Sequence, residues 1–209
     1  MKTLALDIGG VCISLHQAKA YASLGIADLD RTPEPFERAV REYNCGRLDS
    51  AGFSRFLDAF TKEKLPQDAR LAECRSQGAS ALERELCRRW RLFLGKEIPE
   101  TTALIRGLLA RGWRVVFFSD TQPWHAEILP EIISYFGEVS GTVYSCEVGE
   151  EKPSPLMYRA FEERFGRPAL YLDDRACNIA GGRDSGWNAV QYTPEKSRAI
   201  LEELEGNFE

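Results

Sequence analysis

The chain has 209 residues, 44% of them apolar, and a formal net charge of -5, which is long enough to bury one good core with a smaller attached module. The acidic balance and the lack of any long Lys/Arg tract exclude a general nucleic-acid or anionic-membrane binder and leave small molecules as the expected partners. Six cysteines, at positions 12, 45, 74, 87, 146 and 177, form no C-x-x-C pair, and with only His16 and His125 beside them the spacing is poor for zinc or disulfides. No stretch approaches the roughly 20 apolar residues of a membrane span. No apolar signal core precedes the first strand, so a cytoplasmic protein with reduced thiols is expected.

Thr3-Leu4-Ala5-Leu6 reads as a short buried strand that releases Asp7 into the turn Ile8-Gly9-Gly10-Val11. A carboxylate freed from a buried strand into a glycine turn can be exposed, rigid and nucleophilic. The next strand pattern, Val115 to Phe118, comes about a hundred residues later, far more than one crossover helix needs. Between them, Leu15 to Trp90 carries helical stripes, Phe36, Ala39, Val40 and Tyr43 and then Phe53, Phe56, Leu57 and Phe60, with little strand pattern. Cys45-Gly46-Arg47-Leu48-Asp49-Ser50 reads as a helix end followed by a new N-cap. The expectation is an inserted all-helical cap domain over residues 15–90, carried by an α/β core made from 1–14 and 91–209.

Thr101 to Arg111 reads as a crossover helix with Leu104, Ile105, Leu108 and Leu109 on one stripe and Gly112 closing it. Further strands are expected at Thr142 to Tyr144, Leu170 to Leu172 and Ala189 to Tyr192, with a helix opened by Ser154-Pro155 that turns Met157, Ala160, Phe161 and Phe165 inward. Apolar strands alternating with helices predict a Rossmann-like three-layer core around a central parallel sheet. The acidic tail, Glu202 to Glu209, reads as a helix end.

Ligands of open parallel sheets bind beyond the carboxyl ends of the strands. The residues at those exits are Asp7, Ser119-Asp120-Thr121, Lys152 and Asp173-Asp174. Carboxylates, a hydroxyl and a lysine gathered there are the parts needed to hold a divalent cation and a phosphoryl group. Simpler roles compete at several positions. Asp120 reads as a first-turn carboxylate favouring a helix dipole, His125 as a packed or surface histidine, Arg88-Arg89 as a solvated face, and the stripe Phe53, Phe56 and Phe60 as core.

Leu6-Asp7-Ile8-Gly9-Gly10-Val11, Val116-Phe117-Phe118-Ser119-Asp120-Thr121, Gly149-Glu150-Glu151-Lys152-Pro153 and Tyr171-Leu172-Asp173-Asp174, with Asn178 and Gly186-Trp187 beyond, together resemble the motifs of the haloacid dehalogenase-like hydrolase superfamily in order and spacing. The insertion after the first motif is similar to that family's helical cap of the first type. Ser119-Asp120-Thr121 with His125, the Lys152-Pro153 loop and the acidic pair resemble a bacterial branch containing sugar-phosphate phosphatases. The resemblance implies a magnesium-dependent phosphatase in which Asp7 is the nucleophile that forms an aspartyl-phosphate. Ser119 would hydrogen-bond a phosphoryl oxygen, Lys152 would orient Asp7 and stabilise charge, and Ser119, Asp120 and Lys152 would bind substrate.

Magnesium would be held by Asp7, the Gly9 carbonyl and Asp174, with Asp173 and Asn178 behind them; the sequence leaves open which member of the acidic pair touches metal. The substrate implied is a small phosphorylated metabolite, taken by a monomer or homodimer. Family phosphatases commonly carry a second Asp two residues after the nucleophile as acid and base, and here that position is Gly9. Losing such a group typically costs about 10²–10⁴-fold in rate. Three repairs remain open: a leaving group that needs no proton, a substitute acid such as Asp120 or His125, or an acid from the cap. Two rival functions are a phosphate- and metal-binding module without turnover, and a 2-haloacid dehalogenase, which needs no metal and usually draws a halide-binding arginine from its cap.

Overall fold

The computed structural model describes residues 1–206. After β1 (Thr3–Leu6) the chain turns tightly and returns in β2 (Ile13–Leu15). Five helices follow, α1 (Gln17–Ser23), α2 (Glu34–Asn44), α3 (Ser50–Lys64), α4 (Ala69–Gln77) and α5 (Ala79–Trp90), before β3 (Leu94–Glu97) pairs antiparallel with β2. Strands and helices then alternate: α6 (Pro99–Ala110), β4 (Arg114–Ser119), the short α7 (Pro123–Ala126) and α8 (Leu129–Ile132), β5 (Thr142–Tyr144), α9 (Ser145–Val148), α10 (Pro155–Phe165), β6 (Leu170–Asp173), α11 (Ala176–Asp184), β7 (Ala189–Gln191) and α12 (Ser197–Gly206). The central sheet has the order β5-β4-β1-β6-β7, every neighbouring pair parallel.

The period-two geometry of the strands splits their side chains between two helical layers. Leu4, Leu6, Val115, Phe117, Leu170 and Leu172 face Leu104, Ile105 and Leu108 of α6 and Ile200 of α12. Ala5, Val116, Phe118 and Tyr171 face Met157, Tyr158 and Phe161 of α10 and Ile179 of α11. The expected three-layer α/β fold is therefore present, with its strands within a residue or two of their expected limits. Residues 207–209 of the acidic tail lie outside the described residues.

The insertion buries its own core of Tyr21, Phe36, Tyr43, Phe53, Leu57, Leu71, Leu86 and Trp90, which Trp124 joins from the segment after β4. Asp49 caps α3 by accepting from the Gly52 amide at 2.6 Å, as its place in the helix break suggests. Phe53 is core, while Phe56 and Phe60 pack partly buried against it. Arg89 departs from the expected solvated face. It is buried, bonded to Glu85, Asp68 and the Ser23 carbonyl, because α5 turns this side chain inward where two carboxylates satisfy it. The antiparallel β2–β3 pair is a second departure: two short, half-exposed strands give no apolar period to read. Among the described residues no helix is long and apolar enough to cross a membrane.

Candidate active site at the strand ends

β1 is the middle strand, so the residue leaving it stands between the exits of β4 and β6. Leu6 is in register with Phe117 on one side and Leu172 on the other, and the Asp7 amide continues the sheet by donating to Leu172 O at 2.9 Å. Lys152 enters from the loop after α9. Its ammonium has three donors, and all three are used: Asp7 Oδ1 at 2.7 Å, Asp173 Oδ2 at 2.7 Å and the Phe118 carbonyl at 2.8 Å. The four distant sequence segments thus meet, the Lys152 side chain joining its own segment to the other three.

Asp173 is fully buried and saturated with donors. Besides Lys152 it accepts from the Tyr171 hydroxyl at 2.6 Å, the Arg175 amide at 2.8 Å and Asn178 Nδ2 at 3.1 Å to each oxygen. Asp174 is half-buried, and its carboxylate presses on the turn that follows Asp7. A Cβ built on Gly10 would fall 2.4 Å from Asp174 Oδ2, and Gly10 has φ +73°, so only glycine serves there. The main-chain bonds of this turn use the Ile8 carbonyl and the Gly10 amide and leave out the Gly9 carbonyl.

Charge at this place is unbalanced. Burial pushes the Asp7 carboxyl up to about 7 against the pull of Lys152, and burial followed by repulsion from Asp173 raises Asp174. Burial opposes the Lys152 charge, but Asp7, Asp173 and Asp120 together raise its pKa and keep it an ammonium. Asp173 is held below the usual carboxylate range: burial opposes this, and Lys152 with the surrounding donors prevails.

Ser119 ends β4 and is buried, next in the chain to the Phe118 carbonyl that accepts from Lys152. Asp120 does not begin a helix. The helix starts at Pro123 with Gln122 as its cap, and the Asp120 carboxylate accepts from the Lys152 amide at 2.8 Å, bracing the lysine loop. Burial raises its pKa to about 6. His125 is packed, stacked on Trp90 at 5.7 Å with its ring nitrogen against the Trp90 carbonyl, and burial lowers its pKa to about 4.

The insertion also reaches this loop. Asn44 Nδ2 donates to Glu151 at 2.9 Å, Arg47 donates to the Gly149 carbonyl at 2.9 Å, and Ser145 Oγ links the Asn44 carbonyl to the Thr121 amide. Gly46 permits the approach, since a Cβ there would stand 2.2 Å from the Cys146 carbonyl. Sequence reasoning missed Asn44, Gly46, Arg47 and Tyr171 as parts of the surroundings. The positive-φ glycine between two helices was the one readable signal. A separate cleft of about 590 Å³, lined by Arg84, Arg88, Arg91, Trp124 and Glu127 among others, does not include Asp7.

Oxygen donors suit a hard dication here. Carboxylate oxygens of Asp7, Asp173 and Asp174 lie within 4.8 Å of one another, and the Lys152 ammonium pairs with Asp7 and Asp173 but not with Asp174. Because Asp173 is already satisfied by nitrogen and hydroxyl donors, Asp7 and Asp174 are the better ligands of the three.

A family model for a haloacid dehalogenase-like hydrolase matches residues 1–186. The chain belongs to this family. Solved structures agree in fold. One, described as a predicted HAD-like family hydrolase from Porphyromonas gingivalis, is 20% identical with TM-score 0.74 and covers 98% of each chain. A HAD family enzyme from Bacteroides thetaiotaomicron, in complex with magnesium and inorganic phosphate, is 18% identical with TM-score 0.69, covering 92% of this chain and 93% of that one. L-2-haloacid dehalogenase from Xanthobacter autotrophicus is more distant, 14% identical with TM-score 0.58, over 90% and 76%. The family read from the four sequence segments is thus the family found.

Proposed function

We propose that this HAD-like hydrolase is a magnesium-dependent phosphatase of a small phosphorylated metabolite, acting through an aspartyl-phosphate on Asp7. The observation that carries the reading is the Lys152 ammonium shared at 2.7 Å by Asp7 and Asp173 within a cluster that still has excess negative charge. Magnesium held by Asp7, the Gly9 carbonyl and Asp174 would neutralise phosphoryl charge as it builds toward the transition state. Asp7 supplies the attacking oxygen, and Lys152 fixes the rotation of that carboxylate and stabilises charge on the transferred group. Ser119 donates to a phosphoryl oxygen. Asp173 and Asn178 hold Lys152 and the acidic pair in place, and Asp120 fixes the main chain of the lysine loop on the substrate side. The helical insertion, residues 15–90, acts as a cap that limits access and excludes water. A monomer or homodimer working in the cytoplasm completes the reading.

Gly9 favours one competing reading, a metal- and phosphate-binding module without turnover. Phosphate release from an aryl phosphate and a metabolite panel, with magnesium and with chelator, separates the two. Release that stops with chelation and with Asp7→Asn supports the phosphatase. Metal binding with no release from any substrate supports the binding module, and halide release without metal from a 2-haloacid supports a dehalogenase.

A further inference from the structure

An in-line phosphoryl transfer puts the leaving oxygen on the side of phosphorus away from the attacking carboxylate. An alkoxide leaving there needs a proton, so the question is which side chain near Asp7 has one to give. Lys152 spends its donors on Asp7, Asp173 and the Phe118 carbonyl. Asp173 accepts from Lys152, Tyr171, Arg175 and Asn178, and Asp120 is turned to the lysine loop, Oδ1 accepting from the Lys152 amide and Oδ2 facing Arg175 at 3.9 Å. His125 is stacked against Trp90, and His16 turns its Nε2 toward Gly95 of β3, 2.7 Å from where a Cβ would stand. Position 9, two residues past Asp7, has no side chain, and the space for one is narrowed by Leu15. A Cβ on Gly9 would meet Leu15 Cδ1 at 3.1 Å, with two more Leu15 carbons within 3.7 Å. The last residue of β2 therefore lays an isobutyl group over the turn that follows Asp7, although Leu15 is itself 42% exposed.

We infer that this site is selective for phosphoryl groups on leaving oxygens that depart without a proton: acyl phosphates foremost, then acidic enol and aryl phosphates, with alkyl phosphomonoesters poor. The inference deepens the phosphatase reading and rests on it. In the first step the bond from Asp7 Oδ to phosphorus forms as the bond from phosphorus to the leaving oxygen breaks, and the electron pair departs on a carboxylate or phenolate. In the second step water attacks phosphorus, the Asp7 carboxylate leaves with its electron pair, and both hydrogens of the water stay on the inorganic phosphate. No side chain at position 9 assists that attack, so the phosphorylated protein accumulates with good leaving groups.

The test is kcat/KM with magnesium on acetyl phosphate, 4-nitrophenyl phosphate, phenyl phosphate and glycerol 3-phosphate, together with the pre-steady-state release of nitrophenolate. The expected fall from acetyl phosphate to glycerol 3-phosphate is about 10²-fold or more, the scale of a missing general acid, with a stoichiometric burst of nitrophenolate. Gly9→Asp should raise kcat/KM for glycerol 3-phosphate by about 10-fold or more, change acetyl phosphate little, and remove the burst. Gly9→Asn, equal in bulk and without the acid, should do neither. Should the new side chain collide with Leu15 and unfold the protein, Gly9→Asp with Leu15→Ala relieves the contact and carries the same comparison. Equal kcat/KM for acetyl and glycerol phosphates, or a ratio that Gly9→Asp leaves unmoved, overturns the inference and leaves the phosphatase reading intact. No turnover and no burst with any of the four overturns both.

Discussion

Two buried ionic clusters in this molecule differ in how their charge is balanced. In the insertion, Glu85 accepts from Arg88 and Arg89, and Arg89 also bonds Asp68 and the Ser23 carbonyl. Hydrogen bonds from these arginines hold Glu85 down to about 2 and keep Asp68 below its ordinary value. At the strand ends one ammonium serves Asp7 and Asp173 while Asp174 and Asp120 stand close, and burial raises Asp7, Asp174 and Asp120 alike. Buried ion pairs alone therefore do not mark a site. Carboxylates left short of positive charge do, because their desolvation is compensated only when a cation arrives.

The sharpest way to break this comparison is to neutralise one acid of the deficient cluster. Asp7→Asn should reduce phosphate release by about 10⁴-fold or more, the scale of removing a nucleophile that works as part of a unit, while circular dichroism shows an unchanged fold. Removing the most deeply buried cation of each cluster comes next. Lys152→Met and Arg89→Met should each cost about 3–5 kcal/mol in denaturant unfolding, since each strands buried carboxylates. Magnesium should restore part of the loss in Lys152→Met and none in Arg89→Met; equal responses would erase the distinction between the clusters.

Metal linkage is a smaller effect. Magnesium at 100 times its Kd should stabilise the wild type by about 2.7 kcal/mol in thermal unfolding, and Asp174→Asn should lose most of that shift. The pH response should then differ in sign between the clusters. Glu85 is depressed on folding, so its contribution is present above its ordinary value of 4.5 and is lost as pH falls toward about 2, a loss that Glu85→Gln lacks. Asp7 is raised from 3.8 to about 7, so the metal-free fold keeps a proton that the unfolded chain has released. Stability should fall as pH rises through that window, and Asp7→Asn should remove the fall. Smallest of all, Asn44→Ala should cost about 1 kcal/mol, one hydrogen bond between the insertion and the lysine loop.

The core was legible because its strands are buried on both faces and read as continuous apolar runs, and because parallel order forces their exits together. Asp7 and Asp173 were found for that reason, whereas Lys152 comes from the loop after α9, past the exit of β5. Less legible were features that depend on contacts between distant segments. Asp120 is adjacent to a helix start in sequence, yet its carboxylate is taken by the Lys152 amide from 32 residues away. Arg89 sits in a charged run, and only the packing of α5 against α4 and α1 turns it inward. The β2–β3 pair, which sets Leu15 over Gly9, is too short and too exposed to leave a pattern.

The most direct test of the central claim is to quench the protein with acid during turnover of 4-nitrophenyl phosphate in magnesium and map the phosphoryl group by peptide mass analysis. The account predicts phosphorylation of the peptide that contains Asp7, absent with chelator and in Asp7→Asn. A phosphoryl group on any other residue, or steady turnover with Asp7 never modified, would contradict it.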